Sequence, residues 1–439
     1  MINELISRRR NVLNKMVENS VAIFFAAPEA VRSNDTHYPY RQNSDFWYLT
    51  GFNEAEAVFV LVKEANHDYQ TIVFNRTKDP LAETWTGYRL GQQAALSTLH
   101  VDQAYPFDQI SEILPSIVTG KQALYHASQQ YRYAEKIVNQ LMSTLRNGLR
   151  QGLNAPDTII DWRPILHEMR LFKSEYEISI MRQAGKITAK GHIRAMQSCK
   201  PDMYEYQLEA EILHEFAQHG ARNPSYNTIV GGGNNGCILH YENNDQLLKD
   251  GDLVLIDAGC EFQYYAGDIT RTFPINGKFS QAQKEIYDIV LQSQYRAIEL
   301  FKPGISIKEV NDQVITIMVE GLVRLGIMQG DIKQLIAEKT YTKFYMHGLG
   351  HWLGIDVHDV GDYKTPSRDR ILAPGMVLTI EPGLYINKDA DVPEQYKGIG
   401  IRIEDNILIT KDGNEILTSD VPKEPLEIEM LMSQLHNYR

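Results

Sequence analysis

Four carboxylates and a small group of histidines are the residues of this chain best suited to act together. Asp257 and Asp268 lie eleven positions apart, and Glu381 and Glu404 follow much later. Between the two pairs run His347-Gly348-Leu349-Gly350-His351 and then His358. Gathered at one point, four carboxylates would repel one another and could not stay ionised away from water without partners. Two divalent cations would balance their four charges, which points to a metal-dependent hydrolase.

The local surroundings sharpen this. Asp257 ends the apolar run Leu253-Val254-Leu255-Ile256, where a carboxylate is awkward unless paired. Asp268, inside Ala266-Gly267-Asp268-Ile269-Thr270-Arg271, reads alone as a turn aspartate held by Arg271. His347 and His351 have the spacing of the zinc-binding HExxH helix. Glycines at 348, 350 and 354 argue against a regular helix, and no glutamate follows the first histidine, so that reading fails. A glycine-lined segment that sets separate histidines around a cavity fits better, with Asp356 and Asp359 beside His358. Glu381 follows Val377-Leu378-Thr379-Ile380, and Glu404 lies in Ile401-Arg402-Ile403-Glu404-Asp405. Strand alternation sends Ile401 and Ile403 to one face, Arg402 and Glu404 to the other. An exposed Arg/Glu pair on an edge strand is the plain alternative, and the apolar flanks argue against it.

These side chains need elements to hold them. Ser174-Glu175-Tyr176-Glu177 is a capping box, followed by Ile178, Met181, Ala184 and Ile187 at helical spacing. A second helix carries Leu208, Ile212 and Phe216 and stops at Gly220. Strands follow at 252–257, around Asp268, and at 271–273. The order then repeats: helices start at Ser280 and Ser306, and strands run at 376–381 and 400–404. A pseudo-twofold α/β domain with its site at the axis would explain two aspartates in one half and two glutamates in the other. Upstream, 57–62 and 71–74 read as buried strands and 131–145 as a helix. The Gly152-Leu153-Asn154-Ala155-Pro156 cluster is a candidate domain joint. No cluster of metal ligands precedes it.

The 439 residues suffice for two or three domains, and a net charge of −12 argues against nucleic acid as a partner. Cys199, Cys237 and Cys260 are odd in number and lack CxxC spacing, which fits a reducing cytoplasm. Met1 to Met16 is basic through Arg8, Arg9 and Arg10 with no apolar stretch after it, as in a short amphipathic helix and unlike a signal peptide. No run approaches the roughly eighteen apolar residues of a membrane span, so no membrane partner is expected.

Several spaced motifs together resemble the pita-bread metallopeptidases, and among these the aminopeptidase P family, over nearly the whole chain. They are residues 41–52 and 173–178, Ile238-Leu239-His240-Tyr241, Asp257-Ala258-Gly259, Gly267-Asp268-Ile269-Thr270-Arg271, His347-Gly348-Leu349-Gly350-His351, Glu381-Pro382-Gly383 and Arg402-Ile403-Glu404-Asp405. The resemblance implies a ribonuclease H-like amino-terminal domain, residues 1–172, before a pita-bread catalytic domain, residues 173–439. It implies that Asp257, Asp268, His351, Glu381 and Glu404 bind two metals, with Asp268 and Glu404 bridging. His240, His347 and His358 would hold substrate and stabilise the tetrahedral intermediate, and Arg402 would orient a neighbouring ligand or substrate. Oxygen-rich ligation with one imidazole suits manganese, with cobalt or zinc as alternatives. Two such ions about 3.5 to 4 Å apart would lower the pKa of a shared water, and Glu381 would pass its proton towards the leaving nitrogen.

The implied reaction is release of the first residue from peptides with proline second (Xaa-Pro). Proline makes the scissile bond a tertiary amide without an N–H, which a site demanding no donor there would select. The nearest rival is a prolidase restricted to Xaa-Pro dipeptides. Creatinase uses the same fold without metal and would not need all five ligands. A pita-bread binding protein would lack ligands that are intact here. The resemblance also implies a homo-oligomer, a tetramer or dimer, in which Trp85 covers a neighbouring subunit's site unless it is a core tryptophan.

Overall fold

The computed structural model of the chain describes residues 1–66 and 68–433. These residues divide into two compact units, one up to His167 and one from Glu168 onward.

The first unit is organised by one mixed six-stranded sheet. Across it run strands Gln103–Pro106, Tyr69–Asn75, Val58–Lys63, Ser20–Phe25, Ala123–Tyr125 and Thr158–Ile160. Val58–Lys63 is antiparallel to both its neighbours, while the outer pairings are parallel. Leaving aside the Gln103–Pro106 edge, the order is 3-2-1-4-5, the ribonuclease H-like arrangement. Residues 21–25 and 58–61 are at most 1% exposed, because helices cover both faces of these uninterrupted apolar runs. The expected helix at 131–145 is Arg132–Asn147, burying Val138, Leu141 and Leu145.

The basic amino terminus is indeed helical, Ile2–Lys15, yet Arg8 and Arg9 are buried. Their guanidinium groups donate to the carbonyls of Tyr48, Leu49 and Leu99 within the same unit. Two expectations need correction. The 152–156 cluster does not part the units, because the chain continues from it into Thr158–Ile160, which pairs with Ala123–Tyr125. Trp85 is no core residue: it is 83% exposed on the short helix Pro80–Thr86.

The second unit follows the repeated order read from the sequence. Helices Glu175–Ser198, Gln281–Leu300 and Ile307–Arg324 all begin with capping boxes, on Ser174, Ser280 and Ser306. Each serine hydroxyl accepts an orphan N–H of the first turn. Helix Glu205–Gln218 completes the first pair and packs on Glu175–Ser198. The first half then forms strands Ile229–Gly232, Leu253–Ala258 and Ile269–Pro274 in one antiparallel sheet. In the second half, Val377–Ile380 pairs with Asp405–Ile409, and Gly383–Ile386 with Ile399–Arg402. Helix and strand side chains close over one core, in which Ile187, Ile256, Val290, Ile380, Ile401 and Ile407 are fully buried. This is the pseudo-twofold pita-bread architecture. Among the described residues no helix is long and apolar enough to cross a membrane.

Candidate metal centre

Strand pairing sets the first two acids side by side. Asp257 lies opposite Thr270 in the Leu253–Ala258 and Ile269–Pro274 hairpin. Asp268 precedes Thr270 by two, so alternation sends all three to one face. Two glycines allow the hairpin to close there. A Cβ on Gly259 would meet the Gly267 carbonyl oxygen at 1.7 Å, so any side chain would drive the Asp257 and Asp268 segments apart.

The second two acids sit in a matched break. Ile380 pairs with Asp405 and Gly383 with Arg402 in one continuous register, so the intervening 381–382 and 403–404 face each other in the gap between the two pairings. Glu404 N–H crosses instead to the Thr270 carbonyl at 3.0 Å, tying the two halves together. The histidine segment runs along Val377–Ile380 as an irregular extension. Thr379 N–H donates to the His351 carbonyl and Glu381 N–H to the Leu349 carbonyl, at 2.9 and 2.8 Å. Gly350 permits that approach, since a Cβ there would lie 2.0 Å from the Thr379 carbonyl oxygen.

The result is one cluster at the floor of a cleft of about 580 Å3. Ligand atoms of Asp268, His351 and Glu404 lie within 4.8 Å of one another. His351 Nε2 is 3.4 Å from Asp268 Oδ2 and 3.6 Å from Glu381 Oε1. These separations are long for hydrogen bonds. Two atoms each about 2.1 Å from one cation lie about 3–3.5 Å apart at ordinary angles, so the spacing suits a shared ion. Asp257 joins through Tyr226, whose hydroxyl is 2.5 Å from both Asp257 Oδ1 and Asp268 Oδ1.

The electrostatics point the same way. Burial raises the Asp268 and Glu404 carboxyls, Glu404 well above the usual range, with neighbouring carboxylates adding to the shift. Burial, then Asp268 and Asp257, push Glu381 up to about 7 against the pull of His351 and Arg402. Burial disfavours charge on His351, but Asp268 and Glu381 outweigh it and raise the imidazole to about 9. Such a group of acids can all ionise only with more positive charge than the side chains supply. The donor set, carboxylate oxygens with one imidazole, fits divalent metal ions.

The remaining expected residues surround this centre. Arg402 is buried, not on an exposed edge, and its Nη2 lies 2.7 Å from Asp257 Oδ2. Arg402 Nη1 also donates to the Tyr385 hydroxyl at 2.9 Å, and His347 Nε2 lies 2.8 Å from that hydroxyl. Burial and Arg402 pull the His347 pKa down to about 4, so the ring is neutral. His358 meets His351 edge-on with ring centres 4.3 Å apart, and His240 is an exposed residue of the cleft wall.

Three side groups behave differently from the sequence reading. Arg271 does not hold Asp268; it pairs with buried Asp405 at 2.8 Å and donates to the Glu404 carbonyl. Asp356 and Asp359, although beside His358, turn to Arg170 and Lys173 at 2.6 to 3.0 Å. The hydroxyls of Tyr226, Tyr385 and Thr270 also belong to the centre, the last 2.6 Å from Glu404 Oε2. Alternation from Asp268 was a usable signal for Thr270; Tyr226 and Tyr385 carry none.

Comparison with known proteins places this geometry. Residues 179–411 match metallopeptidase family M24, and residues 5–125 match the aminopeptidase P amino-terminal domain. The chain is 60% identical over 429 residues to Xaa-Pro aminopeptidase of Escherichia coli K12, covering 98% of this chain and 97% of that protein. It is similar to the structure of proline aminopeptidase P II from Yersinia pestis, with TM-score 0.97, 61% identity and 99% of each chain covered. Zinc-substituted E. coli aminopeptidase P in complex with product matches at TM-score 0.97 and 59% identity, with 98% of each chain covered.

Proposed function

The chain belongs to metallopeptidase family M24, and from that premise we propose that it is a Xaa-Pro aminopeptidase, a metal-dependent hydrolase that releases the residue ahead of a second-position proline. The observation that carries this is the convergence of Asp268, His351 and Glu404 within 4.8 Å, with Glu381 beside His351 and Asp257 linked to Asp268 through the Tyr226 hydroxyl. We assign Asp257, Asp268, His351, Glu381 and Glu404 as the residues that would hold two divalent ions, manganese by preference, with Asp268 and Glu404 central to both. When bound, the ions supply Lewis-acid polarisation of the scissile carbonyl and make water acidic enough to ionise near neutral pH.

The chain's own residues do the rest. Glu381 accepts the proton of the attacking water on its carboxylate and passes it to the departing proline nitrogen. Arg402 holds Asp257 in place and, through the Tyr385 hydroxyl, fixes the His347 ring. His347, held neutral by burial and Arg402, commits its one N–H to the Gly348 carbonyl and accepts from the Tyr385 hydroxyl, so it holds the substrate with its ring face, and His240 and His358 on the walls stand to stabilise the oxygen that gains charge. The His347 ring, with Ile229, Leu239 and Val357 of the cleft lining, offers an apolar surface that suits a proline ring.

We assign the chemistry to the catalytic domain, 173–439, with residues 1–172 as the amino-terminal domain. The exposed Trp85 supports a homo-oligomer, a tetramer or dimer, in which that indole covers a neighbouring site. Three free cysteines support a cytoplasmic setting.

The test is metal analysis with hydrolysis of a Xaa-Pro-Yaa tripeptide, on the native enzyme and on Asp268→Asn. Metal content and turnover should fall together in the variant, and full activity there would refute the assignment. A Xaa-Pro dipeptide assayed alongside separates the prolidase alternative, since strict preference for it would overturn the aminopeptidase reading.

A further inference from the structure

Every acid on the cleft floor is committed. Asp257 faces Arg402 and Tyr226, Asp268 and Glu381 face His351, and Glu404 accepts from Thr270. One further carboxylate lines the same cleft and is not committed. Glu242, two residues after His240, is exposed on the wall. Among the described residues its one polar partner is Asn227, whose Nδ2 donates to Glu242 Oε2 at 2.9 Å. Asn227 lines the cleft too, and it follows Tyr226, which touches the aspartate pair. The amide anchors one carboxylate oxygen and leaves the charge without a cation, in a cleft that a peptide must enter.

From this we propose that Glu242 is a specificity-determining residue that selects peptide substrates carrying a lysine or arginine side chain close to the scissile Xaa-Pro bond. The inference rests on the peptidase reading above. A side-chain cation is the fitting partner, not the substrate's terminal ammonium. The ammonium lies within one residue of the bond being cut, and hence beside the floor, whereas among the described residues no hydrogen bond or ion pair joins Glu242 to the five floor residues. A lysine or arginine stem spans that gap and brings its charge to the rim while its methylenes lie along the wall. Because Glu242 is exposed, the preference is modest and salt-sensitive.

The experiment compares kcat/KM for Lys-Pro-Ala against norleucine-Pro-Ala, and for Ala-Pro-Lys against Ala-Pro-norleucine, in low and high salt. The native enzyme should prefer lysine at one of the two positions by roughly two- to five-fold, the range an exposed ion pair supports. Glu242→Gln should bring that ratio to about one, high salt should do the same to the native enzyme, and Glu242→Lys should invert it. Ratios unchanged among the three enzymes at both positions would overturn the proposal. Failure of the native enzyme to cut any of the four peptides would instead sink the aminopeptidase reading, so the two failures are distinguishable.

Discussion

At the scale of single residues, the centre depends on hydroxyls as much as on the acids. Tyr226 reaches Asp257 and Asp268 at once, with a hydroxyl proton available to only one of them at a time. It therefore holds the two carboxylates proposed as ligands in register without neutralising either. Tyr226→Phe keeps the ring and removes that tether. Losing a partner of this kind typically costs 10- to 100-fold in metal affinity. Titration calorimetry with Mn2+ should show weakening of about that size, and unchanged affinity would mean that the aspartates need no tether. The same acids give metal binding a pH dependence with a definite sign. Burial and mutual repulsion raise Asp268, Glu381 and Glu404, so protons compete with cations for them more strongly as pH falls, and affinity should drop on the acid side. The acids and histidines were legible in the sequence because burying such groups demands a reason. Tyr226 and Tyr385 were not, since a tyrosine amid apolar residues is ordinary and only folding shows where its hydroxyl points.

At the scale of elements, the helices were readable because local chemistry writes their ends. Ser174, Ser280 and Ser306 each cap as their spacing announces. The break that presents Glu381 and Glu404 was not readable, because it is a gap between two strand pairings that keep one register, a property of both strands together. The joint misplaced at 152–156 has a similar cause: turn-rich composition marks a turn, and whether the next strand rejoins the same sheet is a long-range matter. Gly350 is where element and site meet. Gly350→Ala would force a methyl against the Thr379 carbonyl oxygen, 2.0 Å from its ideal position. Overpacking of this kind costs typically 1–3 kcal/mol, sometimes more. Here it should also push His351 off Val377–Ile380, so chemical denaturation and metal content should both register the change. A variant as stable and as metal-replete as the native protein would contradict the close packing.

Helix Glu175–Ser198 makes a second element-scale expectation. His192, fully buried on it, has Nε2 3.0 Å from the carbonyl oxygen of Ala258, next to Asp257. Burial holds its pKa down to about 4, with Arg271 adding to the effect. Above pH ~6.5 the ring is neutral in both folded and unfolded chains and titration costs nothing. Between ~6.5 and about 4 only the unfolded chain takes up the proton, so stability falls with pH across that window. The shift corresponds to about 3 kcal/mol. His192→Gln retains an N–H for Ala258 and cannot titrate. The loss of stability between pH 7 and 4.5, read from urea unfolding, should shrink by about 2–3 kcal/mol in the variant. An equal loss in both proteins would show that His192 is not held neutral.

At the scale of the whole molecule, chemistry and scaffold are unevenly divided. The first unit has its own core, built on residues such as Ile23, Val60 and Phe74, and carries none of the clustered acids. The second closes a separate core around strands whose ends carry or adjoin Asp257, Glu381 and Glu404. Its two halves meet at the acids themselves, through the Glu404 N–H to Thr270 bond and the Thr272 hydroxyl donating to the Arg402 carbonyl. Cations held there would draw the halves together and would bind only when both are folded. Ligation of that sort stabilises by mass action, about 2.7 kcal/mol at a hundredfold excess over the dissociation constant. Amides that exchange only when the second unit opens should then exchange about 100-fold more slowly. Hydrogen exchange with chelator or with Mn2+ should show this slowing along Leu253–Ala258, Ile269–Pro274 and Asp405–Ile409, with Ser20–Phe25 as the internal reference. Slowing confined to one half would mean that the ions bind without joining the halves. No slowing in either would leave the buried acids protonated and the metal centre without support.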